Sequence, residues 1–468
     1  MKAGALENRG VVTCVLALAA LALRTEAAPV FNTGSPAASS TVPPAETTPP
    51  NLLLIVVDDV GIDAVRAYGV PGQTPAPMPV LDGLVRHGML FRNVWATPAC
   101  SSTRASLLTG RYSFRHGIGM FIPPQSKAEL PWDEITLPEI LSTKPELGYR
   151  SALFGKWHIG NYADGPALAG FGTFSGSRAN LNQGDNYYRW HKVECGIETL
   201  TEKYATTDTV DDALNYIATT PEPWFIYLPF HAAHARFRNP PEHLHSDVFD
   251  ERSPRCDKRQ VYRAMIEAVD TELGRLFEGM GERLERTNIV FTGDNGPPPE
   301  VLPPPLRPGR GKLSPYEDGL RVPLVIAGPA VRKPGSETDA LVNLTDLYAT
   351  LVELAGFHVE SELPAGAGTD SISLAPYLRD PDTPELRDYL YSALIGTGLE
   401  VDWGRELHAI RNKRFKLIHR VHPTQRYELY DLDRDPGETR NLMRAAWDKD
   451  LEEEFINLAA ALEAVLGS

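Results

Sequence analysis

Four short apolar runs, each ending abruptly in polar residues, set the pattern of this chain. Residues 52–57 run into Asp58 and Asp59, and residues 149–154 run into Gly155, Lys156, Trp157 and His158. Residues 224–230 run into His231 and His234, and residues 288–291 into Thr292, Gly293, Asp294 and Asn295. Continuous apolar runs of this length, without alternation, predict strands buried on both faces, as in an α/β sheet. Helical stretches lie between them, at 259–278 and 345–355, the second with Thr345 as its expected N-terminal cap and Gly356 as its stop. In open α/β sheets ligands bind beyond the carboxyl ends of the strands. Four strands that each deliver Asp, Lys, His or Asn at that end therefore point to one shared site.

The last hundred residues follow another pattern. Residues 408–411, 415–418 and 427–430 are short and partly alternating, with turns between them, which predicts a small antiparallel sheet. Residues 448–466 read as an amphipathic helix. The expected division is an α/β domain over 51–375 and an α+β subdomain over 376–468. At the other end, Lys2 and Arg9 precede an apolar run at 11–23 that is short for a bilayer span, and Thr25, Glu26 and Ala27 offer a small-x-small cleavage site. This reads as a secretory signal peptide over 1–27, with a membrane anchor as the alternative. A Pro/Ser/Thr-rich linker follows over 28–50. The chain is thus expected to be exported, periplasmic or secreted, and free of the membrane after cleavage.

Composition narrows the class. Hydrophobic residues at 42% and charged residues at 23% exclude a disordered chain, a collagen and a coiled coil. A net charge of −15 argues against a nucleic-acid partner, while leaving room for an anionic substrate in a local basic pocket. Three cysteines lie beyond the leader, Cys100, Cys195 and Cys256, too few for a disulfide scaffold. In an exported chain a Cys195–Cys256 disulfide is expected, with Cys100 left unpaired.

Asp58, Asp59, Asp294 and Asn295 are hard oxygen donors, and gathered at one point they suit Ca2+ or Mg2+ rather than zinc. Adjacent carboxylates at a strand end are costly unless a cation neutralises them. Turn-making is the plain alternative for either cluster alone. The segment Cys100-Ser101-Ser102-Thr103-Arg104, followed by Leu108-Thr109-Gly110-Arg111, is the most informative. A buried, inert cysteine is its plain alternative.

That segment resembles the signature of the sulfatases of the alkaline-phosphatase superfamily, Cys-x-Pro-x-Arg followed by Thr-Gly. It matches at Cys100, Arg104, Thr109 and Gly110 and departs at Ser102, where proline is usual. The likeness runs from Asn51 onward. Asp58 with Asp59 and Asp294 with Asn295 resemble the family's two metal pairs, and Gly155-Lys156-Trp157-His158 its Gly-Lys-Trp-His motif. Gly311, Lys312, Tyr316, Glu317, Gly319, Arg321 and Pro323 resemble a later segment, and Tyr427 to Leu432 with Asp435, Pro436 and Glu438 its C-terminal signature.

The resemblance implies a large α/β/α sandwich around a mixed, mostly parallel sheet, with a smaller C-terminal antiparallel sheet packed against a helix. It implies a sulfate-ester hydrolase whose Cys100 is oxidised to formylglycine by a separate maturation enzyme. Cys100, Arg104, Lys156, His158, His234 and Lys312 would be catalytic. Ca2+, with Mg2+ as second choice, would be held by Asp58, Asp59, Asp294, Asn295 and the modified Cys100. Lys156, His234, Lys312 and Arg236 would meet the substrate, a sulfated small molecule or glycan, with a carbohydrate sulfate favoured by export. His234 fits the family's catalytic histidine better than His231, which reads as structural. Arg178, His191, Arg236 and Arg238 are either anion-binding or surface charge, and the proline-rich residues 297–308 read as a rim loop. The alternatives are a phosphodiesterase or phosphonate monoester hydrolase of the same superfamily, and a non-catalytic binder of sulfated glycans if Cys100 is not matured.

Overall fold

Ten strands form one sheet: β1 Asn51–Val57, β2 Gly88–Trp95, β3 Arg150–Lys156, β4 Thr173–Ser177, β5 Trp190–Glu194, β6 Ile197–Thr201, β7 Trp224–Pro229, β8 Thr287–Gly293, β9 Leu324–Ala327 and β10 Ser336–Asn343. This computed structural model describes residues 48–467 except 125, 182–183, 250–256, 303–308, 365 and 397–403. The expected signal peptide, nearly all of the expected linker, Cys256 of the expected disulfide and part of the expected rim loop lie outside the described residues. The strand order is β10-β2-β9-β8-β1-β7-β3-β4-β5-β6. The four apolar runs are its adjacent centre, β8-β1-β7-β3, and their three pairings are all parallel. Leu54 sits between Val290 on one side and Tyr227 on the other. Parallel pairing points all four carboxyl ends the same way, which is what collects their polar residues.

Both faces of β1 are covered. Leu53, Ile55 and Val57 pack into a core shared with α1 (Pro79–His87), α3 (Ala205–Thr219) and α4 (Lys258–Met280). Leu52, Leu54 and Val56 pack on the other side with α2 (Cys100–Thr109) and α5 (Asp346–Leu354). This is the expected α/β/α sandwich. Strands β2, β9 and β10 on one flank, and β4 to β6 on the other, complete the sheet with both parallel and antiparallel pairings. Hairpin β5–β6 leaves its outer strand almost wholly exposed.

The second sheet is antiparallel, in the order β11 (Leu390–Ile395), β12 (Glu406–Arg411), β13 (Phe415–His422) and β14 (Arg426–Asp431). Helix α6 (Lys449–Gly467) places Leu458 and Leu462 against Ile410, Leu417 and Leu429 on one face. The other face meets Trp95, Leu320 and Leu341 of the large sheet's side. One local expectation fails. Thr345 is already helical and its side chain caps nothing. Instead the Asp346 carboxylate accepts from the amides of Asn343 and Ile372, and Arg387 neutralises it.

Candidate active site

At the carboxyl end of β1 the chain turns sharply, and Asp59 adopts a left-handed conformation, φ 60°. A non-glycine residue there costs on the order of 1–2 kcal/mol, so its surroundings must hold it. They do. The Asp59 amide donates to Asp294 Oδ1 at 3.0 Å, and Tyr262 Oη donates to the Asp59 carbonyl at 2.8 Å. Asn295 Nδ2 reaches Asp59 Oδ1 at 2.7 Å. The amide of Asp58 donates to the carbonyl of Ala232, and that of Ala233 to the carbonyl of Asp58, so the ends of β1 and β7 are stitched together. His158, beyond β3, is left-handed too, φ 57°, and its amide is taken by the Arg178 carbonyl.

Helix α2 begins at Cys100 and shows no apolar stripe, yet every residue in it is buried. Ala105, Leu107 and Leu108 pack in the core, and the helix's Ser and Thr side chains are buried on polar partners. Ser101 Oγ accepts from the Ile122 amide, Thr103 Oγ1 bonds Thr97, and Ser106 Oγ meets His116. The helix ends at Gly110, φ 69°, where an added Cβ would strike the Tyr348 ring. It carries Cys100 and Arg104 into the site. Cys100 Sγ lies 3.2 Å from His158 Nδ1, and His158 Nε2 lies 3.1 Å from the Ile122 carbonyl. A carbonyl can only accept, so Nε2 carries the proton and Nδ1 presents a lone pair to position 100.

Arg104 is fully buried between the two metal-type clusters. Its Nε and Nη2 donate to Asp294 Oδ2 at 3.0 and 2.8 Å, Nη2 also reaches Asp58 Oδ2 at 3.3 Å, and Nη1 donates to the Lys156 carbonyl at 3.0 Å. Lys156 Nζ bonds Asp58 Oδ2, and Lys312 Nζ bonds Asp59 Oδ1 at 2.5 Å. Burial opposes ionisation of Asp58, but the charges of Lys156, Arg104 and Lys312 around it outweigh burial and hold its carboxyl well below the usual range. At Asp59 burial, with Asp58 and Asp294 alongside, outweighs Lys312, and the carboxyl is pushed up to about 7. Burial raises the Cys100 thiol, and burial together with the nearby lysines keeps His158 and His234 neutral.

The structure therefore brings Asp58, Asp59, Cys100, Arg104, Lys156, His158, Asp294, Asn295 and Lys312 into one connected cluster. His234 joins it from β7: Asp58, Asp59 and His234 offer ligand atoms all within 4.8 Å of one another. Two buried oxygens in the cluster, Asp58 Oδ1 and Asn295 Oδ1, have no hydrogen-bond partner. Unpaired buried acceptors beside ionised carboxylates are what a hard cation satisfies, so the donor set fits one. His231 is buried against Trp190 with both ring nitrogens unpartnered. Arg236 and Arg238 are exposed. Arg178 bonds Asn161 and Glu198, and His191 bonds Asp185, so both side chains are engaged there.

Two supporting residues carried no signal in the sequence. Tyr187 Oη donates to the carbonyls of both His231 and His234, at 2.7 and 2.9 Å, and Tyr262 holds Asp59. Both lie among ordinary polar and charged residues along the chain, with nothing to set them apart. Glu317 of the resembling segment lies in a buried ion cluster with Lys416 and Arg411, under Trp95 Nε1, where the two sheets meet.

The chain matches known proteins over most of its length. The family described as Sulfatase matches residues 50–357, and the one described as N-sulphoglucosamine sulphohydrolase, C-terminal, matches 311–464. Arylsulfatase J of Mus musculus is 29% identical over 335 residues, 66% of this chain and 53% of that protein. The chain thus spans about half the length of that relative. Arylsulfatase A of Bos taurus is 29% identical over 458 residues, 83% of this chain and 82% of that protein. The solved structure of Ps i-CgsB in complex with k-i-k-neocarrahexaose is similar with a TM-score of 0.71 at 25% identity, covering 89% of this chain and 92% of that one. On the match that runs through the whole large sheet and its strand-end site, this chain belongs to the sulfatase family of hydrolases.

Proposed function

We propose that this chain hydrolyses a sulfate ester carried on a carbohydrate, using a formylglycine made from Cys100 by a maturation enzyme and a hard divalent cation, Ca2+ ahead of Mg2+. The observation that carries the reading is Cys100 Sγ against the lone pair of His158 Nδ1, in a cluster that also holds four oxygen donors and two lysine ammonium groups. Asp58, Asp59, Asp294 and Asn295 would hold the cation, which would offset their charge and polarise a sulfate oxygen. A hydrated formylglycine would carry two hydroxyls on Cβ in place of Sγ, one to attack sulfur and one whose deprotonation expels sulfate afterwards.

The chain's own groups divide the remaining work. Lys156 and Lys312 bind the sulfate oxygens and offset the charge that builds on them. Arg104 fixes the floor of the site by tying Asp58 to Asp294. His158 Nδ1 removes a proton from the hydroxyl at position 100, since its other nitrogen is committed to Ile122. His234 donates through Nδ1 to the Ala235 carbonyl, so its Nε2 presents a lone pair to the site, and the ammonium of Lys312 is the group that carries a proton for the leaving oxygen. The export expected from residues 1–27 and the sugar bound by Ps i-CgsB support a carbohydrate substrate.

The test is sulfate release from a panel of sulfated oligosaccharides, an aryl sulfate and a phosphate diester, with peptide mass spectrometry across residue 100 on the same preparations. Sulfate release should scale with the formylglycine fraction. Faster turnover of the phosphate diester by protein with an intact thiol would overturn the reading. Among the described residues no helix is long and apolar enough to cross a membrane.

A further inference from the structure

Trp132 and Tyr162 are out of place energetically. They are 57% and 54% exposed, and their rings lie 6.1 Å apart at 46°, so two large aromatic faces stand side by side in water. Packing explains neither of them. Such a pair offers adjoining aromatic faces on which an apolar face of a ligand can pack.

The loops beneath them are unusually fixed. Asn161 is held on every side: its amide donates to Glu129 Oε1, its Nδ2 donates to the carbonyls of Pro123 and Ser126 at 3.0 and 2.9 Å, and its carbonyl accepts from Arg178 at 3.1 Å. Glu129 Oε1 also takes the amide of Tyr162 at 2.7 Å. The carboxylate reaches in because residue 160 is glycine; a Cβ there would overlap it. Leu130, two residues before Trp132, donates to the Ile159 carbonyl at 3.0 Å. These same two segments meet at His158, whose Nε2 bonds the Ile122 carbonyl. Tyr162 is four residues from His158, so its backbone lies within about 15 Å of it. A sugar chain whose sulfate is held at position 100 can reach that far.

We propose that Trp132 and Tyr162 form a rigid platform on which a sugar ring of the substrate stacks, one or more units from the ring that bears the sulfate. The proposal rests on the carbohydrate-sulfatase reading above. Aromatic faces pack against the C–H faces of a pyranose, and a platform fixed before binding loses little entropy when it is used. An aryl sulfate, being one ring long, would not extend to it. The pair thus makes the site prefer oligosaccharides over small esters through KM, not through kcat.

The experiment compares wild type with Trp132→Ala, Tyr162→Ala and Trp132→Phe, on a sulfated hexasaccharide and on an aryl sulfate. Both residues are exposed, so thermal melting should not move. Loss of either ring should raise KM for the hexasaccharide about tenfold, as for removal of one aromatic contact. KM for the aryl sulfate and kcat for both should stay within about twofold, and Trp132→Phe should keep most of the affinity. Equal effects on both substrates, no effect on either, or a wild type that cleaves the aryl ester alone would overturn the platform. So would a variant whose only change is a lower oligomeric state in sedimentation, which would assign the patch to a second copy of the chain. Failure of wild type to release sulfate from any ester would strike the functional reading itself, and is told apart by that wild-type result.

Discussion

Replacing Arg104 with Met tests how the candidate site is held together. The methionine fills much of the same volume but removes the guanidinium. Four hydrogen bonds go with it, two to Asp294, one to Asp58 and one to the Lys156 carbonyl, all in a fully buried setting. Summed at about 1.5–3 kcal/mol for each of the three bonds to carboxylates, the loss would be about 5–9 kcal/mol. The bonds share one residue, so they do not add, and the measured cost of breaking a buried ion pair, about 3–5 kcal/mol, is the better figure. That is a large share of a typical domain stability of about 5–15 kcal/mol. Urea unfolding followed by fluorescence in the presence of a chelator should show the unfolding free energy falling by that amount, read as a lower midpoint with the slope unchanged. The two carboxylates would then have lost a cation, so added Ca2+ should stabilise Arg104→Met more than it stabilises wild type. At a free concentration of one hundred times Kd the linkage term is about 2.7 kcal/mol. Arg104→Lys should fall between, because it keeps the charge and loses the fork. A loss below about 1 kcal/mol, or an equal response of both proteins to Ca2+, would refute the view that Arg104 is the internal counter-ion of this cluster.

Cys100→Ala should abolish turnover and leave the melting temperature nearly unchanged, and Ser102→Pro should raise the formylglycine fraction in hosts whose maturation enzyme reads the proline; mass spectrometry across residue 100 with paired sulfate-release assays checks both. Asp294→Ala should strip the metal and the activity together, measured by metal analysis of the purified protein, and zinc alone in fully active wild type would contradict a hard-cation site. Asp270 is buried, accepts from the amides of Val80 and Leu81, and has its carboxyl pushed up by burial to about 7. Its folded value lies above the unfolded one, so the stability it contributes is complete below about pH 4 and is lost as pH rises to about 7. Asp270→Asn should flatten that slope in unfolding measurements across the same window, and an unchanged slope would count against it.

The four central strands were legible because a strand covered on both faces must be apolar through its middle, and β1, β3, β7 and β8 each hold such a run, with polar residues only toward their ends. Their polar ends, the Cys100 segment and the motif around Lys156 were legible for the complementary reason: charged and metal-type residues at strand ends have no packing purpose. Strand β2 was missed because Arg92 and Asn93 interrupt its apolar run; Arg92 is held by Glu337 and the Ala67 carbonyl, and Asn93 by the Asp339 carbonyl. Strands β5 and β6 were missed because an exposed edge hairpin needs no apolar pattern. Helix α2 could not be read as buried from its composition, since its Ser and Thr side chains find partners elsewhere in the chain. The pairings that make the site chemical were beyond any local reading. Lys312 meets Asp59 across 253 residues of chain, and Arg104 meets Asp294 across 190. Which nitrogen of His158 faces Cys100 depends on the Ile122 carbonyl, 36 residues away. Residue types and their order along the chain state which groups are available. Which cation neutralises which carboxylate, and where a lone pair points, is settled only when the parallel strands bring their ends together in space.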